Sequence, residues 1–165
     1  MLEFRKCETD HKLRRTAEMA NDIWHECFVG VISDEQIDYM VDNYQSFAAI
    51  KKQVAVDNYE YYNFVLDGTR IGYFAIVPNN DGTLQLSKLY MYQEYRGNGY
   101  ASQAFAFIKD IAVQRGYKSI WLTVNRHNYA AMKIYEAFGM KVIREQVTDI
   151  GNGFVMDDFV YSIDV

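Results

Sequence analysis

The chain is short of proline, cysteine and positive charge, and each shortage excludes something. Pro78 is the one proline in 165 residues, which argues against a disordered or linker-rich chain. The two cysteines, Cys7 and Cys27, form no Cys-x-x-Cys pair, so there is no zinc or thiol-redox motif. The formal net charge is −5 and the isoelectric point about 5.2. A nucleic-acid binder is expected to carry a basic footprint, and this chain has none overall. The start, Met1-Leu2-Glu3-Phe4-Arg5-Lys6, lacks the apolar run of a signal peptide. No stretch approaches the roughly 20 apolar residues that span a bilayer. His11, His25 and His127 are scattered, and no metal-ligand cluster stands out. The expectation is a cytoplasmic protein with reduced thiols, no metal, and neither nucleic acid nor membrane as partner.

What the chain has in quantity is aromatic. Phe, Trp and Tyr make up 16% of it, with 14 tyrosines, and such residues favour strands. Its length suits one domain, residues 1–165, with a sizeable core. Leu2 to Glu8 reads as a first strand. Asp10 then caps a helix to about Phe28, with Leu13, Ala17, Ala20, Ile23, Trp24 and Cys27 on its apolar side. Ser33 starts a second helix, with Gln36 at the capping-box position, and a third runs from about Ser46. Tyr59–Leu66 and Ile71–Val77 read as a hairpin around Asp67-Gly68-Thr69. Leu84–Tyr92 is a third strand in succession. A helix to about Arg115, a strand from Lys118 to Asn125, a helix from Asn128 to Phe138 and two closing strands complete the order. This is an α/β chain of α+β type. Its central sheet is mixed and mostly antiparallel, with about seven strands and helices on both faces.

The sharpest feature is Arg96-Gly97-Asn98-Gly99-Tyr100-Ala101, which follows a strand and opens a helix. Glycines there permit a tight turn that exposes backbone N–H groups. The helix start adds unpaired N–H groups and partial positive charge, an arrangement suited to a pyrophosphate. Arg96 can add a charge-assisted bond to a phosphate. The Gly-Lys-Ser/Thr of a P-loop is absent. The dinucleotide fingerprint is incomplete, with Ser102 at its third position and no acid in Tyr117–Leu122. A bland reading, a tight turn and nothing more, stands beside these.

Arg96 to Ala101 fits the Arg/Gln-x-x-Gly-x-Gly/Ala loop for the coenzyme A pyrophosphate at every defined position. In this, and in its order of elements from Leu2 to Val165, the chain resembles the GNAT superfamily of acyl-CoA N-acyltransferases. The likeness extends to Asn128 and, seven residues on, Tyr135, followed by Phe138-Gly139. Two helical turns put Asn128 and Tyr135 on one side of their helix. The resemblance implies acetyl-CoA as co-substrate. Its pyrophosphate would lie on Arg96, Gly97, Asn98, Gly99, Tyr100, Ala101 and Ser102, and its pantetheine along the backbone of Leu89, Tyr90 and Met91 and near Asn125 and Asn128. Tyr135 would protonate the departing thiolate, since a phenol keeps its proton at neutral pH. Read without the family, Asn128 is a good N-cap and Tyr135 a half-buried core residue.

One departure matters. Many family members carry a glutamate five residues before the Asn, and here that position is Thr123. Asp157 and Asp158 are candidates to bind the acceptor ammonium or relay its proton, or are a solvated pair on an edge. Trp24, Glu26 and Phe28 are further acceptor-side candidates, and suit a core or a dimer contact equally. The resemblance implies direct attack by a primary amine, from a small molecule, a polyamine or a peptide. The layout is loosely similar to polyamine acetyltransferases. A non-catalytic acyl-CoA sensor or interaction module is the alternative. A C-terminal edge strand offers a route to a homodimer.

Overall fold

Three helices begin where one side chain closes the first turn. Ser33 accepts from the Gln36 N–H, Ser46 from Ala49 and Asn128 from Ala131. These caps open α2 (Asp34–Met40), α3 (Phe47–Val56) and α5 (Tyr129–Ala137). α1 (Asp10–Cys27) differs from expectation by one residue. Thr9 is its cap and accepts from the Lys12 N–H. Asp10 is thereby moved into the first turn, where a carboxylate suits the helix dipole. Between α2 and α3 the helix widens into a π turn, Val41–Gln45.

The computed structural model describes residues 1–165. Its strands are β1 (Leu2–Lys6), β2 (Glu60–Leu66), β3 (Thr69–Pro78), β4 (Thr83–Met91), β5 (Ser119–Asn125), β6 (Lys141–Gly151) and β7 (Phe154–Asp164). α4 (Tyr100–Gln114) lies between β4 and β5 in the chain. The strands form one seven-stranded sheet in the order β1-β2-β3-β4-β5-β7-β6. β4 pairs with β5 in parallel, over Thr83–Gln85 against Ser119–Trp121. The β1–β2, β2–β3, β5–β7 and β6–β7 pairs are antiparallel. The β2–β3 turn is two residues, Asp67 and Gly68, both at positive φ (49° and 86°). That matches the twist of a hairpin and leaves Thr69 in the strand. No helix is long and apolar enough to cross a membrane.

The chain divides into two compact units. The first comprises Met1–Val77 and Lys88–Ala101. Its core is aromatic, with Tyr61, Phe64, Tyr73 and Phe74 fully buried. The two tyrosine hydroxyls need partners, and the π turn, α1 and α3 supply them. Tyr73 donates to Gln45 Oε1 (2.9 Å) and accepts from Trp24 Nε1 (3.0 Å). Tyr61 donates to Gln53 Oε1 (2.5 Å). Lys88 is buried in the same place. Its Nζ donates to the Tyr44 carbonyl (2.7 Å), to Gln53 Oε1 (2.9 Å) and to the Tyr61 hydroxyl. Burial pushes the Lys88 ammonium well below its ordinary pKa and the Tyr61 phenol well above.

The second unit comprises Pro78–Ser87 and Ser102–Val165. β5 alternates buried and half-buried residues, with Ile120, Leu122 and Val124 inside. α4 buries Ala104, Phe105, Ile108 and Ala112, and Phe105 stacks on Phe138 with ring centres 4.6 Å apart. β6 is the outer strand and is exposed along most of its length.

The Lys88 contacts generate a prediction. Each of its acceptors keeps a second link without it: Gln53 Nε2 donates to the Tyr44 carbonyl, and Tyr61 donates to Gln53. Lys88→Met is therefore expected to change stability by no more than about 1 kcal/mol, since it strands no polar partner and removes a buried ammonium. Gln53→Leu leaves the Tyr61 O–H without an acceptor and takes one acceptor from Lys88, and is expected to cost about 2–3 kcal/mol. Urea unfolding of the two variants beside wild type measures both.

Candidate active site

In the first unit the loop after β4 is built around its glycines. Gly97 and Gly99 lie at φ 81° and 78°, a region that side-chain-bearing residues rarely adopt. A Cβ at either would meet nothing within 4 Å, so both face open space. Neither backbone N–H has an acceptor within the chain. Asn98 turns its side chain back to the Tyr95 carbonyl (3.0 Å). The loop thus presents N–H groups outward at the start of α4, the geometry of an anion cradle.

The foot of this loop is held firmly. Arg96 donates through Nε (3.2 Å) and Nη2 (3.0 Å) to the Met91 carbonyl. Its guanidinium therefore fastens the loop to the end of β4. Glu26 accepts from the Gln93 N–H. Trp24 and Phe28 stack with ring centres 4.3 Å apart, and Tyr90 packs edge-on against both. Both are buried, at 3% and 7% exposure. These three acceptor-side candidates thus build and support the end of β4. Leu89 and Tyr90 are half-buried and Met91 is buried.

Gly72 escaped the sequence reading, and a glycine inside an aromatic, β-branched strand is the signal that could have found it. A Cβ there would sit 2.5 Å from the Tyr90 carbonyl oxygen and 3.0 Å from Met91 Cα. Only the bare backbone of β3 lets β4 approach this closely.

In the second unit, Asn125 and Asn128 form the turn that joins β5 to α5. Asn125 Oδ1 accepts from the His127 N–H (2.9 Å), its carbonyl accepts from the Asn128 N–H (2.9 Å), and Asn128 caps α5. Tyr135, two residues from the end of α5, is buried at 9% exposure between Phe138 and Tyr161, with ring centres 6.2 and 6.4 Å away. Tyr161 is fully buried and its hydroxyl has no partner.

Asp157 and Asp158 are adjacent on β7 and face opposite ways. Asp157 pairs with Arg126 Nε at 2.8 Å, and Arg126 Nη2 also binds Glu145 (2.6 Å). Asp158 is 3% exposed and its Oδ1 has no hydrogen-bond partner. Burial, and then the Asp157 charge, raise its pKa to about 6.

Residues 17–140, well over half the chain, match the acetyltransferase (GNAT) family. The chain belongs to that family. It is 31% identical over 94 residues to an uncharacterised N-acetyltransferase of Mycobacterium tuberculosis, a match spanning 54% of this chain and 60% of that protein. Among solved structures, the PaiA N-acetyltransferase of Thermoplasma acidophilum, crystallised with coenzyme A, superposes with a TM-score of 0.81 at 20% identity, covering 100% of this chain and 99% of that one. The spermidine/spermine N-acetyltransferase SpeG of Vibrio cholerae gives 0.69 at 18%, over 99% and 93%. At these identities the two structures establish the GNAT fold.

A raised carboxyl pKa sets the direction of a stability test. Asp158 holds its proton more tightly folded than unfolded. Its contribution to stability is full below the ordinary pKa near 4 and is lost as the pH rises through about 6. Asp158→Asn is expected to raise the unfolding free energy at pH 7 by on the order of 1–3 kcal/mol. The gain should vanish at pH 4, which urea titrations at the two pH values will show.

Proposed function

We propose that the chain is an acetyl-CoA-dependent N-acetyltransferase that moves the acetyl group to a primary amine by direct attack. The observation that carries this is the loop at Gly97 and Gly99, where positive-φ glycines turn unpaired N–H groups to open space at the start of a 15-residue helix. That cradle fits the pyrophosphate of coenzyme A, the co-substrate of the family. In this reading the N–H groups from Gly97 to Ser102 receive the pyrophosphate. Arg96, whose Nε and Nη2 hold the Met91 carbonyl, keeps them in place and borders the same cradle. The backbone at Leu89, Tyr90 and Met91, with Asn125 and Asn128, serves the pantetheine arm.

The burial of Tyr135 suits a proton donor. A phenol kept from bulk water retains its proton and can pass it to a thiolate as the carbon–sulfur bond breaks. No covalent enzyme intermediate is needed, and the two cysteines are free thiols. We read the protein as cytoplasmic. Polyamines belong in any acceptor panel because the fold is shared with SpeG, beside small monoamines and peptide N-termini. A second reading is a non-catalytic acyl-CoA sensor. It is favoured by Thr123, which offers only a hydroxyl where many family members have a carboxylate.

Thiol release from acetyl-CoA against a panel of amines separates the two. Turnover with at least one amine is expected, and Tyr135→Phe should lower kcat by about 100-fold or more while calorimetric affinity for acetyl-CoA is kept. Tight binding of acetyl-CoA with no turnover by any amine would establish the sensor instead.

A further inference from the structure

Asp158 is held at a cost and answers to no donor at Oδ1. The β5–β7 ladder runs without a register shift from Ser119↔Asp164 to Asn125↔Asp158, with Thr123 opposite Val160. Side chains alternate faces along such a ladder, so Asp158 shares a face with Asn125 and, diagonally, with Thr123. Neighbours on that diagonal lie about 7–8 Å apart. The carboxylate absent from position 123 thus has a counterpart on the neighbouring strand, on the same face. Tyr161, three residues along β7, faces the other way, and Tyr135 packs beside it. The proton donor and this carboxylate lie on opposite faces of β7.

We propose that Asp158 is the proton acceptor for the attacking amine, a deepening that rests on the acetyl-transfer reading above. The alternatives in its neighbourhood are occupied. Asp157 and Glu145 are paired with Arg126. From β6, Gln146 stands opposite Asp158, and Arg144, opposite Val160, is exposed. Asp157 is the one charge that bears on the Asp158 carboxyl, and it raises the pKa as burial does. At neutral pH the group is mainly ionised, yet basic enough to take a proton from an ammonium.

The protons balance as follows. The substrate ammonium gives one proton to Asp158, which passes it to water. The neutral nitrogen forms a bond to the thioester carbonyl carbon, and the carbon–sulfur bond breaks. Tyr135 gives its proton to the sulfur and regains one from solvent as the amide nitrogen loses its second. The net change is an ammonium and acetyl-CoA converted to amide, free thiol and one released proton.

The test is the pH dependence of kcat/KM between pH 5.5 and 9.5 for wild type, Asp158→Asn and Asp158→Glu. Each is assayed with the amine that turns over best, beside calorimetry with acetyl-CoA. Asp158→Asn is expected to lose about 100-fold at pH 6.5. The deficit should shrink as the pH rises and solution supplies the neutral amine. Asp158→Glu should recover part of the activity, and both variants should bind acetyl-CoA as wild type does. An Asp158→Asn enzyme within threefold of wild type at every pH overturns the assignment. So does a loss that is equal at all pH values and is accompanied by loss of acetyl-CoA binding, since a structural role would give that. Should the variants fail to fold, carboxyl-carbon NMR of wild type decides: a midpoint near 6 supports the role, and an ordinary one near 4 overturns it. A wild type inert toward every amine removes the transfer reading and this assignment together, whereas an active wild type with an equally active Asp158→Asn removes this assignment alone.

Discussion

No side chain fits at residue 72, and the geometry of the glycine loop follows from that. With only a hydrogen there, β3 admits the Tyr90 carbonyl to a distance that a methyl group would forbid. The end of β4 is thereby seated against β3, and the Tyr92 N–H reaches the Ile71 carbonyl at 3.0 Å. Glu26 takes up the next free N–H, at Gln93, and Arg96 grips the Met91 carbonyl. Three short contacts fix the last strand residues, and the loop springs from a rigid foot. Anion binding by N–H groups depends on such pre-orientation, because a floppy loop would spend the gain on ordering itself.

The parts of this arrangement that depend on local chemistry were readable from the chain. Gly97 and Gly99 stand where positive φ is required, and Ser33, Ser46 and Asn128 cap the helices they precede. The seven-stranded sheet follows from alternation and turn residues. Thr9 displaced Asp10 as cap because both are good caps and only the extended backbone of Thr9 decides between them. What needed three dimensions was the fate of polar side chains. Arg96 looks like a phosphate ligand in sequence, and its turn toward Met91 is a tertiary fact. Trp24, Glu26 and Phe28 look like pocket wall, and their contacts with Tyr90 and Gln93 at the end of β4 are visible only in the fold. Nothing local distinguishes Asp157 from Asp158. Strand register sends one to an ion pair with Arg126 and leaves Oδ1 of the other without a hydrogen-bond partner.

Two buried ionisable groups illustrate how partners divide structure from chemistry. Lys88 is surrounded by a carbonyl, an amide and a phenol, and each of its contacts is matched. Such a group ties α3, β2 and the π turn to β4 and has no donor to spare. Asp158 is about as deeply buried and has an empty oxygen. Low dielectric penalises both charges, but only the second keeps an oxygen that no donor of the chain satisfies.

The π turn hands two groups inward, the Tyr44 carbonyl to Lys88 and the Gln45 amide to Tyr73. Counted in genetic terms, it is one codon longer than the α-helix that would otherwise join α2 to Ser46. Removal of that codon would wind the chain onward by about 100° less before α3 begins, and both groups would swing off their targets. The aromatic core of this unit is therefore indexed to the length of a five-residue turn as well as to its composition. A substitution within the turn can leave that index intact, but a single-residue deletion there cannot.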